Sequence, residues 1–196
     1  MATPTHSHLQ TFNPDRVARL EASGWRAYYA HQWLRALLLM IRLVQEQFHI
    51  PFPRSVQAAY YIIRASMAFA PRDNAAALPA VGAYISQFYA VAASTTGNLF
   101  HPPHVANLEL QYWNVHRAFA LAQAVDDTPM VDVLAALHAA LFGSTAEAMR
   151  PSAVNRARAA HHVDLITGER SINPDEDWRL VYFYLRRCYE QVKAAL

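Results

Sequence analysis

The chain has 196 residues, of which 54% are hydrophobic, 12% aromatic and only 16% charged, with a formal net charge of +2. That is enough apolar material for one domain with a real core. The charge is too small and too scattered for nucleic acid or an anionic membrane as partner. The single cysteine, Cys188, excludes an internal disulfide and a cysteine-based zinc site, and on the last helix it reads as a small core residue. The longest strongly apolar run, Ala36 to Ile41, falls far short of the ~20 residues of a membrane span. No secretory signal pattern opens the chain, so a cytoplasmic protein is expected. One lysine stands against sixteen arginines. Coding bias accounts for most of that, while a buried, bidentate guanidinium is the reading that carries chemistry.

Residues 1–12, with His6 and His8, lack an apolar period and are expected to form a flexible leader before a single all-helical domain over 13–196. Asn13-Pro14-Asp15 offers an N-cap, a proline at the first helical position and an acid in the first turn, opening a helix over 14–23 that Gly24 should end. The next helix, 25–49, has two apolar stripes, Trp33, Leu37, Met40, Val44 and Leu34, Leu38, Ile41, which places it in the middle of the bundle. Pro53, Pro79 and Pro103 open helices over 53–70, 79–95 and 103–124, and Thr128-Pro129 opens 129–142 before Gly143. Ser144 and Glu147 have capping-box spacing for a short extra turn, after which Pro151 starts a helix over 151–167 ending at Gly168. Asn173-Pro174-Asp175 starts the last helix, 174–195, on which Val181, Tyr184, Leu185, Cys188 and Val192 fall at helical spacing. The fold class is thus all-α, a bundle of seven to eight helices without a sheet, and no internal repeat is evident.

Candidate chemistry lies on these helices. Glu46 and His49 form the only Glu-x-x-His, a spacing that diiron bundles use twice. With one copy, and His49 beside the end of its helix, they are weak metal candidates and no metal is expected. In "LELQYWNVHRAF" Glu109, Trp113 and His116 share a helix face, with Arg117 one turn past Trp113 and placed for a cation–π contact. Glu109 and His116 are about 10.5 Å apart along the axis, too far for adjacent ligands of one ion. Arg35, Arg42 and Arg64 stand among apolar residues, so at least one should turn inward, and Glu109 is expected to be its partner. His161 and Asp164 are three apart, the spacing of a hydrogen-bonded pair. No phosphate loop, dinucleotide fingerprint or nucleophile elbow occurs.

These features point to a small-molecule-binding or protein-interaction module with a pocket between helices, lined by aromatic, Arg, Glu and His groups. No cofactor is expected. The alternative is a metal- or haem-dependent oxidoreductase, by analogy of fold with ferritin-like and haem-oxygenase-like bundles. A further alternative is a structural subunit of a larger assembly. The low charge, and Trp178, Tyr182, Phe183 and Tyr189 lying off the core stripe of the last helix, make a homodimer the expected state.

Overall fold

Asn13 and Asn173 cap their helices as their position before a proline requires. The Asn13 side chain accepts a hydrogen bond from the Arg16 N–H at 3.1 Å, and Asn173 accepts one from the Glu176 N–H at 3.3 Å. The computed structural model describes residues 9, 11–95, 97, 99–123 and 126–196. Along them run α1 (Pro14–Tyr29), α2 (Trp33–Phe48), α3 (Arg54–Phe69), α4 (Leu78–Thr95), α5 (Pro102–Ala122), α6 (Thr128–Phe142), α7 (Ala146–Thr167) and α8 (Pro174–Ala194), with a 3-10 turn at Ala75–Ala77. No strand occurs among the described residues, and the fold is an all-α multi-helix bundle.

Glycine marks helix ends less faithfully than proline marks starts. Gly143 does take the left-handed conformation after α6, with φ +70°. Gly24 instead lies inside α1, and the chain breaks at Ala30–Gln32, where His31 has φ 57°. Past Gly24 the inward face continues, with Ala27 buried and the Tyr28 hydroxyl donating to the Ser66 carbonyl at 3.4 Å. That packing outweighs the helix cost of glycine, about 1 kcal/mol. A Cβ added at Gly24 would meet nothing within 4 Å. Gly24→Ala should therefore stabilise the protein by about 0.5–1 kcal/mol, a rise of a few degrees in thermal midpoint by calorimetry. Gly168 is required for another reason: its φ is −89°, but a Cβ there would lie 2.8 Å from the Asp164 carbonyl oxygen. Pro151 lies inside α7, which starts five residues earlier behind a Thr145 cap accepting from the Ala148 N–H at 3.2 Å.

The packed body reaches further back than Asn13. Leu9 and Phe12, assigned to the leader from sequence, are 1% and 0% exposed, while residues 1–8 and 10 lie outside those described. The Phe12 ring meets Tyr189 edge-on at 5.7 Å and Phe142 at 6.0 Å. Two isolated apolar residues show no period, which is why the pattern missed them. Phe12→Ala should cost about 3–5 kcal/mol, read as a shift in denaturant midpoint at constant slope.

α2 is also placed differently. Leu43, Val44 and Phe48 are buried, but Leu34 and Leu38 of its second stripe face solvent, so the helix lies at the surface and not in the middle. On α8 the reverse holds. Tyr189 is buried, the Tyr182 hydroxyl donates to Asp15, and Trp178 packs against the core, leaving Phe183 exposed. The aromatics that motivated a homodimer are largely used within the chain. Ala75–Thr95 is long and apolar enough by composition to cross a membrane, with mean hydropathy 1.3. In the bundle its Val81, Ile85, Phe88, Tyr89 and Ala92 belong to the core.

Each helix packs against its successor and α8 packs against α1, so the contacts close on themselves. The two halves, α1–α4 and α5–α8, repeat one another, a regularity the sequence reading missed. Residues 81–89 and 181–189 alternate between buried and exposed in the same order. Left-handed residues end both α2 (His49) and α6 (Gly143). Arg64 lies over the Tyr84 ring at 5.4 Å, and Arg158 over the Tyr184 ring at 5.8 Å. Matching residues are 88 apart on α1 and α5 (Glu21, Glu109), 94 on α2–α3 and α6–α7 (Phe48, Phe142), and 100 on α4 and α8 (Tyr89, Tyr189).

Candidate functional site

Arg156 and Asp164 of α7 each anchor a polar centre of the bundle. The first is an ion pair. Small residues on α7 (Ala153, Ala157, Ala160) leave room for Arg156, whose guanidinium binds Glu21 of α1 in two places, at 2.6 and 2.9 Å. The side chains are 14% and 7% exposed. The Tyr189 hydroxyl donates to Glu21 at 2.6 Å, and the Trp25 ring lies 5.3 Å from the guanidinium. Burial works against the Arg156 charge, but Glu21 holds its pKa well above the ordinary value.

Glu109 is the counterpart of Glu21 in the second half and repeats part of its surroundings. Tyr89 of α4 donates to it at 3.0 Å, as Tyr189 donates to Glu21, and the Trp113 indole N–H donates at 2.7 Å. No arginine binds it directly; at the place matching Arg156, α3 has Ile62. Burial raises the Glu109 pKa, opposed by the Arg156 charge and by the two hydrogen bonds, and Glu21 adds to the rise. The Arg156 charge thus offsets only part of what burial does to Glu109.

The expected partners of Glu109 are elsewhere. Arg35, Arg42 and Arg64 are all exposed. Arg35 donates to Gln32 at 3.1 Å and Arg64 to the Tyr60 hydroxyl at 3.2 Å. The apolar residues around them belong to helix faces that look outward, so their stems run to water. Arg117 does not stack on Trp113. It lies 3.7 Å from the Phe69 ring and donates to the Phe69 and Pro71 carbonyls, which α3 leaves free at its end. Glu46 and His49 diverge: Glu46 binds Arg16 at 3.1 Å and the Asn13 N–H at 3.2 Å, while His49 bonds Thr11 at 2.8 Å. Among the described residues no three His, Cys, Asp or Glu side chains gather as a metal site would need. Cys188 is buried and its thiol is pushed up to about 12, an unreactive group.

The second centre borders a groove of about 460 Å³ between the end of α5, the start of α6 and the later part of α7. Its apolar side has Phe119, Ala120, Met130 and Ala157; its polar side has Arg158, His161, His162, Asp164 and Arg170, with Asp127 and Gln123 at the rim. Asp164 is buried and pairs with His116, not with His161 as the spacing implied: His116 Nε2 lies 3.0 and 3.1 Å from its two oxygens. The His116 ring stacks on Tyr112 at 5.8 Å. His162 bonds Asp177 at 2.7 Å, and His161 faces solvent. Neither Arg158 nor Arg170 forms an ion pair among the described residues. The sequence reading named His116, His161 and Asp164 but missed Arg158, Arg170, Glu21 and Arg156.

The first half builds the same corner with Arg64 at the place of Arg158 but without the histidines and the carboxylate. Where the second half has His116, His161, His162 and Asp164, the matching residues are Tyr28, Met67, Ala68 and Ala70. Compared with models of known protein families, with curated proteins and with solved structures, the chain matches none.

Proposed function

We propose that this protein binds a small anionic molecule, a carboxylate or phosphate with an apolar body, in the groove between α5, α6 and α7. One observation carries the reading. The first half has Tyr28, Met67, Ala68 and Ala70 at the equivalent places, so the bundle itself does not call for the histidines and Asp164 of the second half. Arg158 and Arg170 supply two cations at the groove, and a guanidinium suits a carboxylate or phosphate. The body of the ligand would lie against Phe119 and Met130. The groove volume is in the range of about 300–1,000 Å³ usual for such ligands. The His116–Asp164 pair fixes the groove wall and holds the imidazole in one orientation. A metal-dependent oxidoreductase has less support, because Glu46 and His49 are engaged separately.

A thermal-shift screen of small aromatic and aliphatic carboxylates and phosphates, followed by calorimetry on the hits, tests this. Saturable binding is expected, weakened about tenfold or more by Arg158→Ala or Arg170→Ala. No saturable binding in the panel, or binding unchanged in the double arginine variant, would overturn the assignment.

A further inference from the structure

A different surface, independent of the groove, is marked on α2. Leu34 is 71% exposed, Leu38 53% and Trp33 47%. Leu34, Leu38 and Ile41 fall at i, i+4 and i+7, one continuous helix face, while the opposite face with Leu43, Val44 and Phe48 is buried. The fold does not demand this stripe. In the second half, α6 has Thr128 and Asp132 where α2 has Leu34 and Leu38. Large apolar side chains gathered on one exposed face, where the equivalent helix has a threonine and an aspartate, are the mark of a contact surface.

The charge beside the stripe has one sign. Arg35 and Arg42 each follow a stripe residue and are exposed. α3, joined alongside α2 through the Gln45–Ser55 hydrogen bond at 3.1 Å, has no acidic residue and exposes Arg64. The one carboxylate of α2, Glu46, is already bound by Arg16. A second copy docking through the same face would set arginine against arginine with no free carboxylate on α2 or α3 between them. We infer that the α2 face docks an amphipathic helix of a partner protein, its apolar stripe flanked by aspartates and glutamates. Leu34 and Leu38 take up the apolar stripe, and Arg35 and Arg42 pair with the flanking carboxylates.

The test is selection from a displayed library of 18-residue helices with apolar residues at i, i+3, i+4 and i+7 and Glu, Gln or Lys in equal proportion elsewhere. Recovered binders should be enriched in Glu. Their affinity by fluorescence anisotropy should fall about tenfold or more with Leu38→Asp or with Arg35→Glu/Arg42→Glu, and should weaken as salt rises. These residues are exposed, so the helical circular dichroism of the variants should match that of the unmodified chain. Failure to recover binders, or binders neutral or rich in Lys, overturns the inference. So does light scattering that shows a dimer dissociated by Leu38→Asp, because a second copy would then occupy the face. Adsorption to phosphatidylserine vesicles with the same dependence on Leu38 and the arginines would assign the face to a membrane and overturn it too.

Discussion

Arg156→Met should cost about 3–5 kcal/mol, lowering the thermal midpoint by roughly 10 °C. Among the described residues the guanidinium is the one partner of opposite charge to Glu21, whose side chain is 7% exposed. Without it a carboxylate remains inside the bundle with the Tyr189 hydroxyl as its donor among the described residues. Methionine fits the space, since Ile62 stands at the matching place on α3. The loss is thus one of stranded charge and not of volume. Glu21→Gln in the same chain should recover much of it, because glutamine keeps an acceptor for Tyr189 and removes the charge. Arg150 and Asp132 pair at 2.6 Å but are half exposed, and Asp132→Ala should stay within about 1 kcal/mol. Thermal unfolding of the three variants gives the comparison. Equal losses for the Arg156 and Asp132 variants, or no recovery in the double variant, would mean that the pair is not desolvated as its exposure indicates.

Helix starts were legible because their signals are local. Asn13 and Asn173 need only their own side chains and the next turn to act as caps. Breaks that depend on tertiary packing were not: α1 runs through Gly24 because Ala27 and Tyr28 still find neighbours, and it ends at His31, which carries no glycine signal. The repeat of α1–α4 in α5–α8 escaped because connecting segments of different length shift the offset from 88 to 94 to 100. A search for one fixed period cannot register such a drift, whereas the order of burial along α4 and α8 shows it directly.

The site was legible to the same limit. Glu109 was expected to be the most enclosed glutamate, but it is half-buried and Glu21 is the buried one; of the two donors to Glu109, Trp113 stood four residues away in the same stretch. Its other donor, Tyr89, comes from α4 and leaves no local trace. The choice of arginine failed for a physical reason. Apolar neighbours in sequence were read as a buried environment, yet on α2 and α3 those neighbours line an outward face. The buried guanidinium is on α7, where alanines make room for it, in a segment that looks polar. Small residues around an arginine were the better indicator, because depth of burial depends on how closely the neighbouring helices approach.

Acidification should destabilise the protein well above the pH at which its surface carboxylates titrate, and His138 is the cause. Its imidazole is 6% exposed, with Nδ1 at 2.7 Å from the Ser152 hydroxyl. That hydroxyl gives its one proton to the Met149 carbonyl at 2.7 Å, so the ring donates through Nδ1–H. Burial, with the Arg156 charge adding to it, lowers the pKa from 6.5 to about 3. In the unfolded chain the ring takes up its proton near pH 6.5, so between that value and about 3 the unfolded state holds more protons. Stability is complete above pH 6.5 and is lost as pH falls through this window, on the order of 4–5 kcal/mol at its foot. Glu109 acts in the opposite sense. Its raised pKa means the folded state binds a proton first, so falling pH regains stability between that raised value and 4.5. His138→Val isolates the two effects. Val44 occupies the matching buried position on α2, so valine suits the site, and Ser152 keeps its bond to Met149. Thermal midpoints from pH 7.5 to 4 should fall steeply for the unmodified chain and stay level or rise slightly toward low pH for the variant. Parallel curves would show that His138 is protonated in the folded state after all, and that its burial contributes nothing to the acid response.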